Sequence, residues 1–287
     1  MKKAGLLRIL KITGGVLLIL FISALIAAYR FISPKSDQQI LRAFEDGQQQ
    51  PHIDRLSFQG REVRLIKMQA VDDKELPTIV FIHGSPGSSM DFKRYLKDED
   101  LNAQANLIAY DRIGYSDRDA GDILPSLELE VELLHEILKD QNNKNTIVVG
   151  YSYGGTVMMA SPLDFKRKIA LAAAVRGDLE PMFWALNLCR WNLTRPLVPK
   201  VLLAAAEEKF RHVEELKAYQ SRWSGSTSEV VSVHGTSDAI VPYQNSLYLA
   251  DVLGERFALV TLEEGNHALL WTHFETIRDL LLKSLKK

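Results

Sequence analysis

From about residue 60 onward, short runs of apolar residues alternate with longer stretches of helical periodicity. The runs are Arg61–Met68, Thr78–Ile82, Asn106–Tyr110, Asn145–Val149, Lys168–Ala174, Glu229–Val233 and Phe257–Leu262. A run that is apolar throughout is typical of a strand buried on both faces of a parallel sheet, whereas Arg61–Met68 alternates with a period of two and predicts a half-exposed strand. An apolar stripe at helical spacing is formed by Leu127, Val131, Leu134 and Leu138. This alternation predicts an α/β fold with a mostly parallel sheet.

The N-terminus does not follow this alternation of apolar runs and helical stretches. An uncharged run extends from Ile12 to Tyr29 and is preceded by the basic residues Lys2, Lys3, Arg8 and Lys11. Its length is close to the minimum for a membrane-spanning helix. A buried helix would show a polar face, and a cleaved signal peptide would show small residues in an A-x-A-like pattern, so we predict an uncleaved anchor over residues 1–32. The basic residues predict a cytosolic N-terminus with the main domain across the membrane, which in a bacterium means the inner membrane, facing the periplasm.

Two further segments lie outside the strand–helix alternation. Residues 33–54 are polar and rich in glutamine, which predicts a tether with a short helix around Gln39–Phe44, followed by a globular domain over residues 55–287. Residues 177–228 contain no buried strand, but they contain helical stretches, proline breaks and three tryptophans. This pattern predicts a helical cap over the ends of the strands.

Composition narrows the function classes. The chain is 46% hydrophobic and 25% charged with a formal net charge of −1, which is ordinary for a globular protein and gives no basic field for nucleic acid. Cys189 is the only cysteine, so an intramolecular disulfide and a cysteine-based zinc site are excluded. We interpret Cys189 as a small apolar filler.

The strongest chemical signal is a G-x-S-x-G motif at residues 150–154, centred on Ser152. It follows the run Asn145–Val149 and precedes an apolar helix, which is the strand–turn–helix context of a nucleophile elbow. We expect hydrogen side chains at Gly150 and Gly154 because the turn brings the neighbouring strand and helix close. A serine hydroxyl needs a base and an orienting acid, in the chain order serine, acid, histidine. Asp238 and His267 follow successive strands in that order, and His234 is the nearest rival base.

A tetrahedral intermediate also needs two backbone N–H donors for its oxyanion. The residue after the nucleophile, Tyr153, is the first candidate. The second should come from the glycine-rich loop after Thr78–Ile82, residues 83–88 (HGSPGS). Pro86 has no N–H, so we assign this donor to Ser85.

Together these motifs resemble the α/β-hydrolase superfamily, in its branch with an H-G-x-P-G loop, a D-R-x-G-x-S turn, an elbow serine, and G-x-x-D and G-x-H loops. The matching structural positions are His83, Gly84, Gly87, Gly150 and Gly154. The resemblance implies an eight-stranded, mainly parallel sheet with helices on both faces and a cap after the sixth strand. We interpret residues 111–116 as a structural turn without chemistry. Relatives that hydrolyse epoxides or haloalkanes carry aspartate at the elbow, and Ser152 argues against those reactions.

These observations predict a membrane-anchored serine hydrolase that cleaves a small hydrophobic carboxylic ester through an acyl-enzyme. The mechanism requires no metal or organic cofactor. Two alternatives stay open at this point: an amidase or aminopeptidase that uses the same three residues, and a non-catalytic binding module of the same fold. The sequence does not identify the natural substrate.

Overall fold

A computed structural model describes residues 33–68 and 76–286, together with residues 13–16, 19–20, 23 and 29. The chain divides into two compact units, Met1–Pro34 and Lys35–Lys287. In the first unit, the described residues before Ser33 are helical, but most of the predicted anchor lies outside the described residues. None of the described helices has the length and apolar character needed to cross a membrane.

The second unit follows the predicted alternation of strands and helices. Its strands are β1 (His52–Phe58), β2 (Arg61–Met68), β3 (Thr78–Ile82), β4 (Asn106–Tyr110), β5 (Thr146–Tyr151), β6 (Arg167–Leu171), β7 (Val230–Gly235) and β8 (Phe257–Leu262). Its α-helices are α1 (Asp37–Arg42), α2 (Lys93–Leu96), α3 (Glu99–Gln104), α4 (Leu127–Ile137), α5 (Tyr153–Ala160), α6 (Lys200–Tyr219), α7 (Gln244–Leu253), α8 (Leu269–Thr272) and α9 (Phe274–Lys286).

The strands described here form one eight-stranded sheet in the order β1-β2-β4-β3-β5-β6-β7-β8. β2 is antiparallel to both of its neighbours, and all other pairs are parallel. Every residue of β3, β4 and β5 is buried, because helices cover both faces of the sheet and two apolar clusters fill the space on either side. The predicted mostly parallel eight-stranded sheet is therefore confirmed.

The compact unit begins earlier than residue 55, where the sequence analysis placed the start of the globular domain. Ile40 and Phe44, on and just after α1, are fully buried, and Ser36 caps that helix in a capping box with Gln39. Arg64 of β2 donates to the Lys35 carbonyl oxygen at 2.8 Å. Helix α1, which lies within the predicted tether over residues 33–54, thus packs onto the sheet, and residues 52–54 already belong to strand β1.

Strand β1 is the element that the apolar pattern did not reveal. It lies at the edge of the sheet, where it pairs with β2 alone, and most of its residues are only half-buried. An edge strand with one neighbour needs few apolar residues, so polar side chains interrupt its sequence.

The loops that carry the predicted chemistry all follow the carboxyl ends of strands. The glycine-rich loop follows β3, Ser152 follows β5, Asp238 follows β7 and His267 follows β8. Residues 177–228, all described, contain α6 and short 3₁₀ helices at Gly177–Leu179, Trp184–Cys189, Arg195–Leu197 and Gln220–Gly225. We call the segment over residues 177–225 the cap.

We predict that Phe44→Ala lowers the free energy of unfolding by about 3–5 kcal/mol, because the ring is fully buried and its loss leaves a cavity. Leu41→Ala, on the exposed face of the adjoining helix α1, is the matched control and should change the free energy of unfolding by less than about 1 kcal/mol. Urea denaturation measures both values. Equal effects of the two substitutions would contradict the packing of this segment onto the sheet and would support the prediction that it is a tether.

Candidate active site

Ser152 lies in the sharp turn between β5 and α5, with φ 53° and ψ −119°. A non-glycine residue in this region costs about 1–3 kcal/mol of backbone strain, which the surrounding packing must hold in place. A Cβ atom at Gly150 would collide with the Gly154 carbonyl oxygen, and a Cβ atom at Gly154 would collide with the Ile82 carbonyl oxygen. The two glycines therefore allow the helix to pack against the strands closely enough to force the turn.

The structure brings the three predicted residues into one chain of hydrogen bonds. His267 Nε2 lies 3.1 Å from Ser152 Oγ, and His267 Nδ1 lies 2.7 Å from Asp238 Oδ2. Both contacts span more than 25 residues of sequence, so they exist only because strands β5, β7 and β8 end at the same edge of the sheet. The serine, the base and the acid have the geometry that general-base activation of a hydroxyl requires.

Asp238 is held as a carboxylate. Its Oδ1 accepts from the backbone N–H groups of Ile240 and Val241, each at 2.9 Å. Burial is the largest single influence on its pKa and raises it, but the nearby His234 and His267 rings and the hydrogen bond from the Val241 amide together outweigh burial. The pKa of Asp238 therefore lies well below its usual value, and a negative charge faces the His267 ring.

His234, the rival base of the sequence analysis, has a different set of partners. It is fully buried, with Nδ1 2.6 Å from Ser246 Oγ and Nε2 donating to the Val241 carbonyl oxygen at 2.9 Å. Its Nε2 lies 3.5 Å from Asp238 Oδ2. These contacts place His234 behind the acid, where it supports the loop of Asp238.

Tyr151 is a further residue of the candidate site, and the sequence motifs did not single it out. Its hydroxyl donates to the His267 carbonyl oxygen at 2.8 Å, and the two rings lie 5.1 Å apart. Tyr151 precedes the elbow serine, so the elbow itself positions the loop that carries the base. The only sequence signal was its place inside the G-x-S-x-G motif.

The glycine-rich loop is fixed by His83. Its Nε2 accepts from the Arg112 backbone N–H at 2.9 Å, so its Nδ1 donates to the Gly84 carbonyl oxygen at 2.8 Å. Burial, together with the nearby Arg112 charge, lowers the pKa of His83 well below its usual value and keeps the ring neutral. Arg112 Nη1 donates to the same Gly84 oxygen at 3.2 Å.

This anchoring sets the direction of the neighbouring amide. In a trans peptide the N–H points away from the C=O, so the Ser85 N–H points away from His83 and Arg112. Ser85, Ser152 and Tyr153 line the same pocket. The two predicted oxyanion donors therefore belong to residues that border the space in front of the serine.

Arg112 also joins this loop to the cap, through contacts that the interpretation of residues 111–116 as a turn did not foresee. Its fully buried guanidinium pairs with Glu208 of α6 and, at 2.9 Å, with Glu130 of α4. The Tyr115 hydroxyl donates to Glu208 Oε2 at 2.6 Å and lies 2.9 Å from Ser85 Oγ. We call Arg112, Tyr115, Glu130 and Glu208 the cap latch.

The charges of the cap latch compensate one another. Burial acts to lower the pKa of Arg112, but Glu130 and Glu208 outweigh it and hold that pKa well above its usual value. Burial raises the pKa of Glu130, which faces the second carboxylate across the guanidinium. The guanidinium also lies 4.2 Å from the centroid of the Tyr153 ring. Arg112 therefore contacts the Tyr153 ring directly, and it reaches the Gly84–Ser85 peptide through the Gly84 carbonyl oxygen.

The pocket in front of Ser152 has a volume of about 390 Å³ and a mainly apolar wall. The cap supplies most of this wall, including Phe183, Leu186, Cys189 and Leu202. Cys189 is therefore a wall residue, half-buried, and burial raises the pKa of its thiol. A volume of this size fits a small organic molecule with an apolar group.

One part of the wall is charged. Glu180 accepts from Lys209 and from His212 Nδ1, the latter at 3.2 Å, and His212 Nε2 lies 3.1 Å from Thr156 Oγ1. Burial acts to raise the pKa of Glu180, but its two basic partners lower it below the usual value. In the part of the chain that the structure describes, no group of three or more His, Cys, Asp or Glu side chains could hold a metal ion.

Solved structures of similar fold cover most of the chain at low sequence identity. A candidate aryl esterase from Burkholderia cenocepacia is 19% identical, with a TM-score of 0.63 over 82% of this chain and 100% of that one. A serine hydrolase from the hydrocarbon-degrading bacterium Cycloclasticus zankles is 14% identical (TM-score 0.61; 81% and 96% covered). A meta-cleavage product hydrolase from Pseudomonas fluorescens IP01 is 18% identical (TM-score 0.58; 81% and 97% covered). These likenesses show the fold.

No protein with a curated description matches the sequence at a significant level. The model of the alpha/beta hydrolase family matches residues 79–279, a range that includes the elbow serine, both of its predicted partners and the cap. This match confirms the resemblance inferred from the sequence motifs. The chain belongs to the alpha/beta hydrolase family.

Proposed function

We propose that this hydrolase cleaves a carboxylic ester with Ser152 as its nucleophile. The observation that carries the proposal is the chain of hydrogen bonds from Ser152 Oγ through His267 to Asp238, at 3.1 and 2.7 Å. A family member that served only to bind a partner would not need a strained serine aligned with a base and an ionised acid. This geometry favours catalysis over the binding-module alternative.

In the proposed first half-reaction, His267 Nε2 accepts the hydroxyl proton as Ser152 Oγ attacks the ester carbonyl carbon. The Ser85 and Tyr153 backbone N–H groups donate to the resulting oxyanion. When the tetrahedral intermediate collapses, His267 protonates the departing alkoxide and an acyl-enzyme remains. Asp238 holds the ring orientation and stabilises the imidazolium, and its low pKa keeps it charged throughout.

In the proposed second half-reaction, water takes the place of the alcohol. His267 removes a proton from it, the acyl-enzyme carbonyl is attacked, and the second tetrahedral intermediate uses the same two donors. Collapse returns the proton from His267 to Ser152 and releases the acid. No step needs a metal or an organic cofactor.

Esters are favoured over amides because an alkoxide leaves more readily than an amine. The mainly apolar wall of the pocket fits a hydrophobic acyl or alcohol group, and Glu180, Lys209 and His212 offer polar contacts at one part of that wall. An amidase or aminopeptidase would use the same three residues, so relative rates on the two substrate types decide between them.

A fluorophosphonate probe should label the wild-type protein at Ser152 and fail to label Ser152→Ala or His267→Ala. Ser224→Ala, an exposed serine of the cap, is the matched control and should keep full labelling. The same preparation should hydrolyse p-nitrophenyl butyrate faster than an aminoacyl anilide. If the folded wild-type protein reacts with neither the probe nor the ester, the proposed function is rejected. If it hydrolyses the anilide faster than the ester, the protein is an amidase rather than an esterase.

We expect Glu208→Gln to lower kcat for the same ester by about 10- to 100-fold. Arg112 and Tyr115 donate to different oxygens of Glu208, and the amide nitrogen that replaces one oxygen cannot accept, so one of the two contacts is lost and the Ser85 amide loses support. Tyr115→Phe leaves the ion pair intact and should act in the same direction through Ser85. Glu207→Gln, the exposed neighbour on α6, should change kcat by less than about twofold. A kcat unaffected by Glu208→Gln would show that the cap latch has no role in positioning the Ser85 amide.

The proposed function includes attachment to a membrane through residues 1–32, with the hydrolase unit on the far side. The support is the uncharged run Ile12–Tyr29 and the basic residues before it. After membrane isolation, the full chain should resist alkaline carbonate extraction, whereas a chain lacking residues 1–32 should be released. Release of the full chain by carbonate would reject the anchor without affecting the proposed chemistry.

A further inference from the structure

Exposed apolar side chains are concentrated in one part of the cap. Among the described residues of Lys35–Lys287, ten large hydrophobic side chains are exposed, and six of them lie between residues 182 and 197. The six are Met182, Phe183, Trp184, Trp191, Leu193 and Leu197, and we call them the apolar patch. Leu193 and Leu197 are 85% and 80% exposed. A concentration of this kind marks an interaction surface rather than ordinary scatter.

In the stretch of chain that carries the apolar patch, every charged residue is basic. Residues 181–206 contain Arg190, Arg195 and Lys200 and no aspartate or glutamate. Arg195 pairs with Glu207 in an exposed contact at 3.2 Å, and the Arg190 guanidinium lies over the Phe210 ring. Both contacts leave these cations near the surface. The patch is therefore apolar with a cationic margin.

A lipid bilayer with anionic headgroups fits this combination. Tryptophan concentrates at the boundary between headgroups and acyl chains, and arginine and lysine are attracted to anionic lipids. A second copy of the chain fits less well, because a two-fold contact through this surface would bring the same cations of both copies together. The proposed anchor would also keep the hydrolase unit near a bilayer.

The same stretch of the cap forms the wall of the active-site pocket. Phe183, Ala185, Leu186 and Cys189 line the cavity that contains Ser152, while Trp184, Trp191 and Leu193 are exposed. The apolar patch and the pocket wall therefore belong to the same short segment, and Phe183 is part of both. An apolar molecule that left a bilayer at the patch would pass between residues of this segment to reach Ser152.

We propose that the apolar patch docks on an anionic lipid bilayer and that the ester substrate enters the pocket from that bilayer. The docking is independent of the chemistry, whereas the substrate route rests on the proposed function. The hydrolase would then act on lipid-soluble esters at the membrane surface, with the cap as both docking surface and pocket wall.

The experiment uses the full chain with vesicles of phosphatidylcholine and phosphatidylglycerol whose acyl chains carry bromine, which quenches tryptophan at close range. Residues 1–34 contain no tryptophan, so the predicted anchor adds no signal. Wild type should be quenched, and a Trp184→Phe, Trp191→Phe variant should lose the quenching because the remaining two tryptophans lie outside the patch.

The test variant is Leu193→Ser, Leu197→Ser, which keeps both reporter tryptophans. We expect it to lose most of the quenching and to lower the ratio of hydrolysis of a vesicle-borne ester to that of soluble p-nitrophenyl butyrate by about 10-fold. The matched control is Leu41→Ser, Leu247→Ser, two exposed leucines outside the cap, and it should behave like wild type.

If the tryptophan quenching and the ratio of vesicle-borne to soluble ester hydrolysis are both unchanged in the test variant, the proposal is overturned. A wild type that forms dimers without being quenched, and becomes monomeric in the test variant, would overturn it in favour of self-association. Absence of activity on the soluble ester in every variant would reject the proposed chemistry and the substrate route with it, while the quenching would still decide the docking.

Discussion

The buried guanidinium of Arg112 is the point at which the sheet, the glycine-rich loop and the cap meet. It follows β4, donates to the Gly84 carbonyl oxygen, lies over the Tyr153 ring and pairs with Glu208 of α6. A cation removed from water costs several kcal/mol unless it is paired, and breaking such a buried pair costs about 3–5 kcal/mol. The cap helix therefore has to lie where Glu208 reaches Arg112.

This constraint connects the cap to the chemistry at Ser152. Glu208 accepts from both Arg112 and Tyr115, and each of these contacts the glycine-rich loop, one at Gly84 and the other at Ser85. The cap, which forms most of the pocket wall, is thus connected by hydrogen bonds to the loop whose Ser85 amide would stabilise an oxyanion. The acid and the base are supported separately, by the loops after β7 and β8 and by Tyr151.

Where the sequence analysis and the structure differ, the reason is long-range pairing. Residues 35–54 are polar in sequence, and Ile40 and Phe44 are too few to give a periodic signal, yet both side chains become fully buried once β1 and β2 provide a surface. The turn over residues 111–116 contains charged residues, and charged residues in turns are ordinarily exposed to solvent. Arg112 can be buried because it pairs with Glu208, which lies 96 residues later in the sequence.

The sequence by itself determined the alternating strands and helices, the elbow around Ser152 and the order of Ser152, Asp238 and His267. These features depend on local periodicity and on glycines that a sharp turn requires, so neighbouring residues are enough to reveal them. Only the tertiary structure decided which side chains meet: the distance from His267 to Ser152, the role of Tyr151, the cap latch and the apolar patch on the cap. Such contacts depend on where strands end relative to one another and on which charges neutralise each other in the interior. Neither can be read from the order of apolar and polar residues along the sequence.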